Sequence, residues 1–311
     1  MQNSKLIGLL KVLSKEELER FRGFMQSPFF KKTTKAIALF EWIDAQKEHP
    51  IYQSSKLDVE LIGKHLFSKQ RNKALRKKSL SVVASELVGL IKGFLVQLKM
   101  EKEQDDYTYL LLESLLNRRA ERDFWQTYTK TTARRAKSEI TITHYYHQYL
   151  LEEACFNFQP TDKQLIKKQK KLKVDVYQVL NTLDVFVVLR KLQYCCFNWN
   201  TANIMEEEKN VDLANELISI IESKRLHQEI LVHFYYLILL LLMNPNDVTY
   251  FFQLKGLLKN NQIPIHKREL RIFYTIASNY CNQKIKKGND SFYQEMFDLY
   301  VLEWKQKLHY L

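Results

Sequence analysis

A two-residue signature returns along residues 101 to 311: a tyrosine and, eight residues later, an asparagine. Tyr109 with Asn117, Tyr149 with Asn157, Tyr236 with Asn244 and Tyr274 with Asn282 carry it, and a further member has Arg190 in the tyrosine position followed by Asn198. The first positions, 109, 149, 190, 236 and 274, lie 40, 41, 46 and 38 residues apart. Flanking residues repeat as well: Cys155-Phe156-Asn157-Phe158-Gln159 mirrors Cys196-Phe197-Asn198-Trp199-Asn200. Phe124-Trp125-Gln126, Phe251-Phe252-Gln253 and Phe292-Tyr293-Gln294 each open an amphipathic segment after an asparagine. Such a period belongs to helical hairpins that bury their apolar faces on one another. Five are expected, at about 105 to 137, 142 to 173, 176 to 222, 226 to 260 and 266 to 309.

Only seven Gly and five Pro occur in 311 residues, so few positions break a helix and the fold class expected is all-α. The polar stretch Glu101 to Asp106 marks a boundary between an N-terminal helical module, 1–100, and an α-solenoid of about five helical hairpins, 101–311. The period falls between the tetratricopeptide unit, about 34 residues, and HEAT-type units, about 40 to 47. The array is therefore similar to tetratricopeptide-like (TPR-like) proteins without their consensus residues.

In the first hundred residues the clearest local signal is Ser14 to Phe30. Ser14 and Glu17 form a capping box, Leu18, Phe21 and Met25 share a helix face, and Pro28 turns the chain. Phe29 and Phe30 read as core anchors. Thr33 or Thr34 caps a helix with Ala36, Leu39, Phe40 and Ile43 on one face, and Ser55 caps another through Phe67. A long helix from about Asn72 to Met100 carries a stripe of Leu80, Val83, Leu87, Leu90, Phe94 and Leu98, with Gly89 and Gly93 placed for close approach of a second backbone. The succession LSKEELERF, then SPFFKK, then a basic helix start and a long apolar helix resembles the N-terminal part of a family of all-helical proteins common in Bacteroidetes-type bacteria. Lys31 stands where that family has Asn. The resemblance implies fold and lineage and carries no activity.

The net charge is +13. Three basic clusters are candidates for an anion or nucleic-acid patch: 64–78, with Arg71, Lys73, Arg76, Lys77 and Lys78; 118–137, with Arg118, Arg119, Arg134 and Arg135; and 163–173, with Lys167, Lys168 and Lys171. No acid occurs between Leu61 and Ser85. Solvated helix faces are the plain alternative. The signature residues are candidates for a partner groove: Tyr109, Asn117, Tyr149, Asn157, Arg190, Asn198, Tyr236, Tyr274 and Asn282. The plain alternative reads the asparagines as left-handed helix ends and the tyrosines as core.

Signs of chemistry are few. None of the seven glycines forms a phosphate loop. His144 and His147, with Glu152 or Glu153 nearby, lack the spacing of a di-iron or zinc motif, and His233 follows Glu229 by one turn. Cys155, Cys195, Cys196 and Cys281 form no CxxC and read as reduced core residues. Lys5 and Lys11 interrupt the apolar start, and Ile230 to Met243 is short for a membrane span. The expectation is a cytoplasmic, non-enzymatic protein without metal, cofactor or membrane, a scaffold for protein–protein interaction. The alternative is a nucleic-acid-binding protein.

Overall fold

The computed structural model describes residues 5–27, 34–45, 59–172, 174–205, 211–260, 264–306 and 308. Pro28, Phe29, Phe30, Lys31, Thr33, Ser55 and Lys173 lie outside them. The described residues are all-helical, without strands. The chain divides into two compact units, Met1–Gln104 and Asp105–Leu311.

The first unit contains α1 (Lys5–Lys11), α2 (Lys15–Met25), α3 (Thr34–Ala45), α4 (Val59–Leu66) and α5 (Lys73–Lys102). The capping box forms: the Ser14 Oγ accepts from Glu17 N at 3.1 Å and the Glu17 carboxylate accepts from Ser14 N at 2.9 Å. All four shorter helices pack on α5. Its buried stripe is Leu80, Val83, Leu87, Ile91, Phe94 and Leu98. Ile91 replaces the expected Leu90, because a step of four from Leu87 stays nearer the buried line than a step of three. Phe21 fastens the stripe to α2 and α3, its ring 5.2 Å from Phe40 and 5.3 Å from Phe94. Among the described residues no second backbone approaches Gly89 or Gly93. A Cβ at Gly89 would meet nothing within 4 Å, and at Gly93 only the Phe24 ring at 3.7 Å. Among the described residues α5 alone is long and apolar enough to cross a membrane. One face of it is the core of its unit.

The second unit contains α6 (Gln104–Asn117), α7 (Glu121–Arg135), α8 (Ile142–Asn157), α9 (Lys163–Leu172), α10 (Val176–Met205), α11 (Val211–Ser223), α12 (Ile230–Met243), α13 (Thr249–Leu258), α14 (Lys267–Lys286) and α15 (Phe292–Lys305). A single 3₁₀ turn, Leu226–Gln228, precedes α12. Helix α10 packs between α8 and α12; α12 touches α13 and α14; α14 lies along α15. The apolar run Ile230–Met243 is the centre of this core, and nine of its residues are buried. Lys255 is also buried there, 2.5 Å from Glu295 and 2.7 Å from Asp298, which bolts α13 to α15.

Helices that are distant in the sequence meet at one edge. Ile140 N donates to Pro264 O at 2.6 Å and His266 N donates to Ile140 O at 3.1 Å, forming an isolated parallel bridge between Ile140 and Ile265. Tyr145 reaches Glu229 at 3.1 Å, just before α12. The starts of α8, α12 and α14 therefore converge, a contact absent from a stack in which each repeat touches only its neighbours.

Candidate functional site

Helix α7 begins after a turn that the sequence places on an unusual residue. Ala120 N donates to Leu115 O and Arg119 N to Leu116 O, both at 3.0 Å, with Arg119 left-handed at φ 54°. This is a Schellman end, built here on arginine. The next residue but one, Glu121, then fastens a distant loop. Its carboxylate accepts from Thr161 N at 2.9 and 3.0 Å, from Thr161 Oγ1 at 2.8 Å and from Asp162 N at 3.2 Å. These donors, Thr161 first, hold the Glu121 carboxyl below its usual range. Asp162 in turn caps α9, its Oδ1 accepting from Gln164 N at 2.7 Å and Leu165 N at 3.3 Å.

The latch sets the two N-termini side by side, and residues of both helices line the space that follows. Between them lies a trough of about 700 Å³. Arg122, Gln126 and Thr129, at spacings of four and three, form one wall, and Gln164, Lys168 and Lys171, at the same spacings, form the other. Trp125 and Leu165 make the floor, and Asp162 closes the N-terminal end. Both floor residues are buried and belong to the core of α6 to α9, where Trp125 packs 5.8 Å from Tyr128 and 6.1 Å from Phe158. Among the described residues Arg122 has one acid near it, Asp162 at 3.9 Å, and Lys168 and Lys171 have none.

No family model, curated protein or solved structure matches the chain.

The trough joins two of the three basic clusters, 118–137 through Arg122 and 163–173 through Lys168 and Lys171. Exposed Lys167 shares the helix but lies outside the trough, as do exposed Arg118 and Arg119. Arg118, in the turn after α6, is occupied by that helix, donating to Ser114 Oγ at 2.6 Å. Arg134 and Arg135 do not belong to any open patch: both pair with Asp105, and Arg135 also donates to His144 O at 2.5 Å. The spacing that puts Arg135 on the inner face of α7 takes it out of solvent, at 3% exposure. In the cluster 64–78, Arg71, Lys77 and Lys78 are exposed and Arg76 is half-buried. Lys73 and Lys64 fold back on Glu60 at 2.7 and 3.7 Å, so an acid just outside the acid-free run neutralises its start. Lys73 holds the Glu60 carboxyl down.

The tyrosine and asparagine signature does not form one groove. Eight residues turn a helix about 80° past two full turns, so the paired positions look in different directions. Tyr274 is 1% exposed and donates to Leu258 O at 3.3 Å, which removes it from any accessible surface. Tyr236 is half-buried and donates to Glu222 at 2.7 Å. Tyr109 and Tyr149 do meet, around Glu153. Tyr149 donates to that carboxylate at 2.8 Å and is pushed up to about 12, while burial, then Glu113 and Glu153, raise Tyr109. Arg190 lies 5.9 Å over the Phe186 ring, itself 5.1 Å from Tyr146.

Asn117, Asn157, Asn198, Asn244 and Asn282 are all exposed, and none is left-handed. Asn198 and Asn282 lie inside α10 and α14, Asn117 and Asn157 are the last residues of α6 and α8, and Asn244 ends α12 at φ −119°. The left-handed positions among the described residues are Arg119, Arg225 and Gly288.

A polar network joins Asp106, from the stretch read as a boundary, to His147, one of the two histidines weighed as a metal pair. His147 Nε2 is 2.7 Å from Asp106, and His144 Nδ1 is 3.3 Å from Ser138 Oγ. Burial and then Arg135 push His144 down to about 4. Among the described residues no cluster of His, Cys, Asp and Glu has the arrangement to hold a metal ion. The four cysteines are buried, and burial raises every thiol, which disfavours the reactive thiolate.

One surface escaped the sequence reading altogether. Along α10, Tyr177, Leu180, Val187, Tyr194, Phe197 and Met205 are exposed, the aromatic three at 73%, 65% and 69%. They recur at helical spacing opposite the buried stripe. The signal was there, but the apolar content of α10 runs all round the helix, so periodicity did not separate the outer row from the core.

Proposed function

We propose that residues 105–311 are a helical-repeat unit of five helix pairs, tetratricopeptide-like and curled at one edge, which binds another protein and performs no reaction of its own. The supporting observation is the exposed row on α10. Monomeric surfaces rarely keep so many large apolar side chains along one helix unless a partner covers them. The row is some 40 Å long at 1.5 Å per residue; of the charged side chains beside it on α10, half-buried Asp184 is paired with Lys224, which leaves Lys191 and half-buried Arg190, both basic. An amphipathic helix with acidic flanks is the occupant that fits, its apolar face laid on the row. A cytoplasmic setting and membership of the Bacteroidetes-type helical family are part of the same proposal.

Peptide display against the full chain tests it. Amphipathic helical peptides should be enriched, and Tyr194→Ala with Phe197→Ala should abolish their binding at unchanged melting temperature. Absence of any enriched peptide, or equal binding by the double variant, would overturn the reading. A second reading, nucleic-acid binding, draws on one observation, the meeting of two basic clusters in the α7/α9 trough.

A further inference from the structure

We infer that the α7/α9 trough is a second binding site, which takes a short extended segment of acidic peptide. The inference rests on the protein-binding reading and names the chemistry of another part of the partner.

The walls carry the argument. Lys168, Lys171 and Arg122 place three cations around the rim, and the first two have no acidic partner among the described residues. The single carboxylate in the trough, Asp162, is held by the backbone amides that it caps. An anionic ligand is therefore favoured, and the question is which class.

Gln126 and Gln164 line the trough, one on each wall. A side-chain amide both donates and accepts, and so does a peptide backbone, whereas a phosphodiester offers acceptors alone. The floor points the same way. Single-stranded nucleic acid is held by basic grooves that also supply exposed aromatic faces for bases. Trp125 is 8% exposed and packed on Tyr128 and Phe158, so it offers no free face, but with Leu165 it provides an apolar patch for one side chain. Arg122 to Thr129 spans roughly 10 Å at 1.5 Å per residue, the length of about three residues of extended chain. In such a segment alternate side chains point to opposite faces: an apolar residue sits on Trp125 and Leu165, and its acidic neighbours reach the rim cations.

Fluorescence anisotropy with the full chain tests this directly. The probes are a fluorescein-labelled peptide of alternating Glu and Leu, its counterpart with Gln for Glu, and an oligothymidylate of equal charge. The acidic peptide should bind best, with an affinity that falls as salt rises. Lys168→Glu with Lys171→Glu should weaken it by more than about tenfold, or 1.4 kcal/mol. The charge-matched variant Lys163→Glu with Lys167→Glu, on the same helix outside the trough, should change it by less than about threefold, or 0.7 kcal/mol. Gln126→Ala with Gln164→Ala should weaken the peptide and leave the oligothymidylate unaffected. Equal loss in the two lysine variants would mean bulk charge attraction and would overturn the site. Tighter binding of the oligothymidylate, or no binding of the acidic peptide, would do the same. If the trough fails while amphipathic peptides still depend on Tyr194 and Phe197, the broader reading stands; if both fail, both fall.

Discussion

Arg135 at the end of α7 donates to Asp105 at the start of α6 and to His144 O at the start of α8, so one guanidinium ties three helices together while only 3% exposed. Burial lowers its pKa and Asp105 offsets the effect. The pair matters less for the energy that it contributes than for what remains when half of it is removed.

Asp105→Ala is expected to destabilise the chain by about 3 kcal/mol, because it strands a buried cation. Urea unfolding followed by circular dichroism checks this. Asp105→Asn, which keeps an acceptor, should cost about half as much.

His144 gives the same region a dependence on pH. Its folded pKa, about 4, lies below the ordinary 6.5, so the neutral ring is the one the fold favours. The stabilisation is complete above pH 6.5 and is lost as pH falls from there towards about 4. After a discount for the half-exposed ring it amounts to about 1 to 2 kcal/mol. Melting temperatures across that window should fall in the wild type and flatten in His144→Gln. Parallel curves would refute the assignment.

Glu121 acts on the acid side of the same window. Its depressed carboxyl contributes stability above the ordinary carboxylate range, lost as pH falls through the folded value. Glu121→Gln should loosen the start of α9 at neutral pH, visible as faster amide exchange at Thr161 and Asp162.

Lys255 makes a comparable case further along. The residue is 5% exposed, with its ammonium between Glu295 and Asp298, and Lys255→Ala leaves two carboxylates facing each other. A loss of about 3 kcal/mol is expected, and Glu295→Gln in the same chain should recover part of it.

In the first unit, Ser14→Ala removes the acceptor of the capping box and should cost about 1 kcal/mol. Thermal melting of the full chain reads this out.

Local signals were legible in the sequence. Ser14 and Glu17, and the stripe from Leu80 to Leu98, follow from rules that act within a turn or two of helix. The misreadings lie where a distant segment decides. Arg134 and Arg135 looked like patch residues because Asp105 is remote from them along the chain, and Lys73 because Glu60 sits on the preceding helix. The asparagines looked like left-handed ends because that is their common role, whereas Arg119 and Gly288 take those places. The trough was half visible: its two basic clusters were plain, and what brought them together was Glu121 catching Thr161.

The bridge between Ile140 and Ile265 also sets a clock. The intervening chain takes roughly 6 to 25 s to synthesise at about 5 to 20 residues per second. During that interval the start of α8 has emerged while the backbone groups that complete it do not yet exist. A nascent chain halted before Pro264 would hold Ile140 and the neighbouring apolar edge open, so the second unit cannot close residue by residue and finishes only when its last helices arrive.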